Sequence, residues 1–225
     1  MPIYKESTKI GVIKREARIL KKAYHGSTLV FGKEVFRKVF TSSGNITFPT
    51  TIISLKVIVV GGGAGGSAGN YDNDWINSTG SGAAGGCAEK IYSNDELSSL
   101  KGTNVSFTVG VGGAAGVYKS GIGGVGGKTS FMSIITATGG NPTSGYSNWG
   151  TPGPLGQGGV GSGGVVNKQG NPGQYGKVAS PGWVPTGGVG WNINGIVYGS
   201  GGNGGASIAN GYAGQNGCVY IEYTY

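Results

Sequence analysis

The sequence predicts a mainly β and irregular fold: a sandwich of glycine helices of polyproline-II type, bracketed by β-strands and preceded by a basic arm that is extended or briefly helical. Three observations predict it. Glycine supplies 51 of 225 residues, and all but four of them follow residue 60. In that glycine-rich part, glycine recurs at strict three-residue spacing. The chain is nevertheless 37% hydrophobic, with 12 Tyr, 6 Phe and 4 Trp. Disordered chains are poor in aromatic and β-branched residues, so this composition points to order.

The strands come first. "ILKKAYHGSTLVF" reads as strand, turn at His25-Gly26-Ser27, strand. "EVFRKVFTSSGNITFP" repeats that pattern, with its turn at Ser42–Asn45. "IISLKVIVV" is rich in β-branched residues and predicts a buried strand. At the other end, "CVYIEYTY" alternates Val219, Ile221 and Tyr223 against Tyr220, Glu222 and Thr224, the pattern of a half-buried strand. A strand before the glycine region and one after it are expected to pair and close the domain. Between them, "SNDELSSL" predicts a capped helical turn with Asn94 or Asp95 as N-cap, followed by the strand "TNVSFTVGV". "TSFMSIITATGG" reads as one further strand. Residues 1–22 mix basic and apolar residues, and periodicity does not decide between a short amphipathic helix and an extended arm.

The glycine spacing carries the architecture. Triplet runs occur at Gly63/66/69, Gly110/113/116, Gly121/124/127, Gly150/153/156/159, Gly158/161/164, Gly170/173/176, Gly199/202/205 and Gly211/214/217. They give nine starting points for a Gly-x-x-Gly-x-x-Gly triple, where random placement at the local density gives roughly four. A polyproline-II helix has three residues per turn, so every third residue lies on one face, and glycine there lets backbones approach. Such helices have no internal hydrogen bonds, so their peptide groups must bond sideways to neighbours. Collagen needs an uninterrupted repeat. Here each run breaks, and the breaks hold bulky loops such as "NYDNDWINST", "SGYSNWGTP", "KVASPGWVPT" and "WNINGIVYG".

Charge separates two regions: a basic docking arm or hairpin over 1–35 and a glycine-rich domain over 36–225. Residues 1–38 hold ten Lys/Arg against three Asp/Glu, and residues 39–225 hold seven against six. The arm's Lys14, Arg15, Arg18, Lys21 and Lys22 are the candidate docking residues for an acidic surface. No recognition motif accompanies the charge, so nucleic acid is not the expected partner.

Enzyme chemistry finds little material, and no cofactor or metal is expected. His25 is the only histidine, and the two cysteines form no metal-ligand cluster. Gly61, Gly63 and Gly66 spell a dinucleotide-binding pattern, but "SAGNYDNDWIN" is a poor helix for a pyrophosphate. "GGVGGKTS" approaches a P-loop, yet Ile122 stands where its first glycine belongs. Asp72 and Asp74 are adjacent loop acids, the one pair that polysaccharide hydrolysis could use. Cys87 and Cys218 fall near the strands expected to pair, which leaves a disulfide or two buried thiols; a cytosolic origin favours thiols. That origin follows from "PIYKESTK" after Met1, which has no apolar signal core. The longest apolar run, "LKVIVV", is too short to span a bilayer.

The aromatic loop residues Tyr71, Trp75, Tyr146, Trp149, Trp183, Trp191 and Tyr198, with Asp72 and Asp74, are the candidate binding residues. Trp and Tyr offer contact area at low entropy cost. Capping of the glycine stack is the alternative role for each.

"FRKVFTSSGNITFPTTIISLKVIVVGGGAGG", "GAAGGCAEKIY", "VSFTVGVGGAAG", "GIGGVGGKTSF", "TATGG" and "GYAGQNGCVYIEY" together resemble the glycine-rich tip domain of bacteriophage tail fibres over residues 36–225. The glycine-helix sandwich is also similar in character to phage receptor-binding adhesins, in which distal loops contact the host. "AYHGSTLVF" resembles a short module of phage virion proteins. The resemblance implies a non-enzymatic virion component, made in the host cytoplasm. Its partners would be other virion proteins, in a homotrimer or other symmetric assembly, and a host-surface protein or polysaccharide. It departs from the pattern in its short N-terminal region, where tip domains usually end a much longer fibre. A structural head or tail decoration protein is the main alternative. Ice binding, which also uses stacked glycine helices, fits poorly with the bulky loops.

Overall fold

The protein is described by a computed structural model. It describes residues 3–5, 8–10, 14–15, 18–19, 23–25, 28–31, 33–72, 75–77, 80–118, 121–144, 146–147, 151–152, 154–175, 184–205 and 209–225.

Among its described residues the arm is neither a helix nor a single extended segment. It holds three antiparallel hairpins, β1 (Ile3–Lys5) with β2 (Thr8–Ile10), β3 (Lys14–Arg15) with β4 (Arg18–Ile19), and β5 (Ala23–His25) with β6 (Thr28–Phe31). The last of these is the strand–turn–strand predicted around His25.

Next come β7 (Val35–Phe40), β8 (Gly44–Thr47) and β9 (Ser54–Val60), the hairpin β10 (Asn70–Asp72) with β11 (Trp75–Asn77), and β12 (Cys87–Ile91). Helix α1 (Asn94–Leu100) leads to β13 (Asn104–Thr108), β14 (Thr129–Phe131) and β15 (Ile135–Ala137). The hairpin β16 (Tyr146–Ser147) with β17 (Thr151–Pro152) is followed by β18 (Gly161–Ser162) and β19 (Val166–Lys168). The hairpin β20 (Trp191–Ile193) with β21 (Ile196–Tyr198) precedes the terminal β22 (Cys218–Thr224).

Two five-stranded sheets form a β-sandwich, one ordered β19-β12-β9-β22-β7 and the other β18-β15-β14-β13-β8. The predicted closure is present: β9 and β22 pair antiparallel from Val60↔Cys218 to Ser54↔Thr224. Leu55, Val57, Val59, Val219 and Ile221 from the first sheet meet Val105, Phe107, Phe131 and Ile135 from the second. Phe48 stands between them, edge-on to Phe131 and Tyr223.

Three local expectations are corrected. β7 and β8 do not form a hairpin: β7 pairs with β22, and β8 with β13, so residues 41–43 cross from one sheet to the other. Phe40 shows why, since it leaves β7 to pack on Phe107 of the opposite sheet at 4.7 Å. "TSFMSIITATGG" is a hairpin, with Met132 and Ser133 turning the chain at positive φ. The N-cap of α1 is Ser93, whose hydroxyl accepts from the Glu96 amide while the Glu96 carboxylate accepts from the Ser93 amide at 2.9 Å. This reciprocal pair satisfies two otherwise orphaned donors, an advantage neither Asn94 nor Asp95 has. Lys90 and that cap hold the Glu96 carboxyl below its usual range.

The glycine segments form ten rods: 61–69, 80–86, 109–117, 121–128, 138–144, 154–159, 169–175, 184–190, 199–205 and 209–217, numbered rod 1 to rod 10. Among the described residues, no backbone hydrogen bond joins two residues of one rod. The bonds run sideways and advance by three. Gly61, Ala64 and Ser67 donate to Gly86, Ala83 and Gly80 of rod 2. Gly62, Gly65 and Ala68 donate to Gly127, Gly124 and Gly121 of rod 4, and Gly63, Gly66 and Gly69 to Gln215, Tyr212 and Ala209 of rod 10. Rod 1 accepts in turn from Gly113 and Gly116 of rod 3, Gly140 of rod 5, and Gly202 and Gly205 of rod 9. It therefore has six neighbours, as does rod 2, which bonds rods 1, 5, 6, 7, 8 and 9.

These adjacencies define a hexagonal lattice in three layers: rods 4-5-6, rods 3-1-2-7 and rods 10-9-8. A three-residue turn is the geometry that distributes successive peptide groups to three directions. The lattice offsets the entropy cost of ordering glycine by bonding nearly every buried peptide group. Where a backbone partner is missing, side chains substitute. Asn216 and Asn210 accept from the amides of Gly112 and Tyr118, and Asn203 from that of Gly187.

The Gly61/63/66 motif is thus a lattice rod that leads into no helix. The triplet Gly158/161/164 is not one rod either, since it runs from the end of rod 6 into β18.

Candidate functional site

The lattice fixes where each connection emerges. Odd-numbered rods run one way and even-numbered rods the other, as the antiparallel bonding of rod 1 to rods 2, 4 and 10 and its parallel bonding to rods 3 and 9 require. The chain therefore leaves the bundle at residues 69, 118, 144, 175 and 205 through one pole and returns there at 80, 121, 154, 184 and 209. At the opposite pole the rods run into the β-sandwich. Both termini of the domain lie beyond that sandwich, where Glu34 and Tyr225 exchange two backbone hydrogen bonds at 3.0 Å.

Of the predicted binding residues that are described, four belong to the free pole. Tyr71, Asp72 and Trp75 belong to the β10–β11 hairpin, where Tyr71 pairs with Ile76 and Asp72 with Trp75. This hairpin joins the two central rods. Tyr146, paired with Pro152, belongs to the β16–β17 hairpin between rods 5 and 6. Asp74, Trp149 and Trp183 lie outside the described residues, in the connections 70–79, 145–153 and 176–183. Of the docking candidates, Lys14, Arg15 and Arg18 fall in the β3–β4 hairpin, and Lys21 and Lys22 lie outside the described residues.

Trp191 and Tyr198 stand at the other end, facing each other across the β20–β21 hairpin. This hairpin folds over the outer face of the first sheet, where both rings pack on Val60, Cys87, Cys218 and Tyr220. The Trp191 indole donates to the Gly85 carbonyl at 2.8 Å, and Lys168 lies over its ring. Their sequence context resembles that of the other loops. Only the direction of the rods separates them.

Beneath the free pole, buried hydroxyls anchor the rod ends. Ser67 donates to the Thr143 carbonyl at 2.7 Å, Thr143 accepts from the Gly156 amide at 3.0 Å, and Ser81 accepts from the Gln174 amide at 2.7 Å. All three residues are buried. These bonds tie rods 1, 2, 5, 6 and 7 together just where their connections depart, so the connections stand on a rigid base. Sequence reasoning missed these anchors, because isolated Ser and Thr among glycines carry no spacing signal.

The thiols are separate. Cys87 and Cys218 both pair with Val60, from opposite sides of β9. Two strand spacings put their backbones about 9–10 Å apart, beyond the ~7 Å reach of a disulfide. Burial pushes the Cys218 thiol up to about 12 and the Cys87 thiol up to about 11. Native protein is therefore expected to leave both thiols unmodified by iodoacetamide at pH 8.5, with both reacting after denaturation. Each thiol's contribution to stability is complete below its unfolded pKa and is lost as pH rises toward the folded one. Each is expected to lose about 2 kcal/mol by pH 10, measurable by denaturant melts at pH 7 and 10.

Among the described residues no cluster of His, Cys, Asp and Glu could hold a metal ion. What the fold defines is a rigid rod-lattice scaffold presenting connections at one pole. A family model described as a glycine-rich domain matches residues 41–217, and the chain belongs to that family. No curated protein matches the chain.

Proposed function

We propose that this protein is a virion adhesin: it docks through its N-terminal arm to other virion proteins, in a trimeric or other symmetric assembly, and binds a host-surface receptor through the connections at its free pole. The polarity of the molecule carries this reading. The five rod-to-rod connections leave one end, and both domain termini, the one that follows the arm included, lie at the other. Such an arrangement holds the connections away from an anchoring point. The tail-fibre-tip resemblance of residues 36–225 agrees with it, and the virion is the corresponding location. The protein acts by binding and carries no catalytic step.

The test uses virions carrying Trp75→Ala together with Trp149→Ala. Adsorption to host cells is expected to fall at least tenfold, while the melting temperature of the purified protein stays unchanged. Unaltered adsorption would remove the receptor role. Loss of residues 1–30 separates the alternative of a decoration protein: an adhesin lacking the arm fails to enter the virion yet still binds cells when purified, whereas a decoration protein binds no cells in either form.

A further inference from the structure

Rods 3 and 4 lie side by side at one edge of the lattice, and the seam between them is open. In rod 3 the amides of Gly113 and Gly116 turn inward to rod 1, and those of Gly112 and Tyr118 are capped by Asn216 and Asn210 of rod 10. The third direction of the turn belongs to Val111, Ala114 and Val117. Their amides donate to none of the described residues.

The other wall of the seam is glycine. A β-carbon on Gly121, Gly124 or Gly127 of rod 4 would meet the amide nitrogen of Val117, Ala114 or Val111. The carbonyls of rod 4 follow from the same geometry. β-Carbons on Gly123 and Gly126 would meet rod 1, and the next carbonyls, those of Gly124 and Gly127, accept from rod 1. A carbonyl thus points where the β-carbon of the preceding residue would point. By that rule the carbonyls of Ile122 and Val125 look into the seam beside Gly121 and Gly124, and they accept from none of the described residues.

The seam therefore offers donors from one rod and acceptors from the other, both advancing by three residues, or about 9 Å. Its rims are aliphatic, with Val111 and Val117 exposed on rod 3 and Ile122 and Val125 exposed on rod 4. A β-strand repeats in about 6.6 Å, and an α-helix spends its peptide groups internally, so neither matches the rows. A polyproline-II chain matches both. It must carry glycine at every third position, because backbones bonded this closely leave no room for a β-carbon. Other perimeter rods of a second copy do not supply that face, since they turn side chains outward: Asn171 and Gln174 from rod 7, Asn210 and Tyr212 from rod 10.

We propose that the seam between rods 3 and 4 binds an extended, uncharged segment of a partner protein with glycine at every third residue, which continues the lattice as one more rod. The probe is a synthetic peptide of repeated Gly-Val-Pro triplets, long enough to pass all three free amides, added to the full-length protein. Amide hydrogen exchange followed by NMR reads the seam directly. The amides of Val111, Ala114 and Val117 should exchange fast in the free protein and slow by at least about tenfold with saturating peptide. Those of Gly113 and Gly116, already bonded to rod 1, should be protected in both states. Ala114→Pro removes the middle donor where no bond is lost and the backbone suits proline. It should keep the melting temperature and abolish peptide binding. Ala115→Pro, whose amide turns toward the rod 10 side, should bind as the parent does. No protection at millimolar peptide would overturn the proposal. Equal protection by a peptide of the same composition in scrambled order would overturn the glycine spacing. Protection that grows with protein concentration in the absence of peptide would make a second copy the occupant and overturn the choice of a partner segment.

Discussion

Gly65→Ala is expected to leave no folded protein. Gly65 lies in rod 1, whose six neighbours are all backbone. Its amide donates to the Gly124 carbonyl at 2.9 Å, and a methyl at its α-carbon would overlap the carbonyl of Ala114. A side chain in the way could rotate aside; a rod held by its own lateral bonds cannot move without breaking them. The cost is expected to exceed about 5 kcal/mol, comparable with the whole stability of many domains. Gly44→Ala is the control. Its added methyl meets only the tip of the Phe107 ring, at 3.5 Å, and should shift the melting temperature by a few degrees at most. Circular dichroism and thermal melts of the two variants decide the matter. A folded Gly65→Ala protein with near-normal stability would contradict the six-neighbour lattice.

Thr129→Val is the second large effect. Thr129 sits where rods 3 and 4 meet β9, fully buried. Its hydroxyl donates to the Val60 carbonyl at 2.6 Å and accepts from the Gly110 amide at 2.9 Å. Valine keeps the shape and removes both bonds. The Gly110 amide then stays buried without its acceptor, which costs the desolvation of a polar group and not merely one bond. The expected loss is about 2–4 kcal/mol, or roughly 5–15 °C in melting temperature for a domain of this size. Thr129→Ser, which keeps the hydroxyl, should recover most of it. If valine and serine behaved alike, the hydroxyl would have no role in joining the sandwich to the lattice.

Much of the fold was legible from residues alone. "IISLKVIVV" and "CVYIEYTY" are amphipathic or buried strands by composition, and they pair as their positions on either side of the glycine region suggested. The triplets located rods 1, 3, 4, 7, 9 and 10, and in the perimeter rods among them one residue per turn is left to solvent. Rods 3 and 4 show it directly: Val111, Val117, Ile122 and Val125 are exposed between glycines that face the lattice. Rod 2 escaped the same search. As "GSGAAGG" it has Ala83 in the middle of its one possible triplet, so the spacing shows no period. Ala64, Ala83 and Ala84 are fully buried in the two central rods, so composition also cannot say which positions accept a methyl.

Rods with three residues per turn and lateral bonding are legible in the residues alone, because glycine at that spacing leaves peptide groups that nothing within a rod can satisfy. Which segments share a pole was decided only in three dimensions. Trp75 and Trp191 occupy similar aromatic, polar stretches, yet one stands at the free end and the other packs over Cys87 and Cys218. Rod direction alternates along the chain, and the pairing of rod with rod through long-range hydrogen bonds sets which turns face outward. No local pattern records that pairing, since every peptide group offers the same donor and the same acceptor.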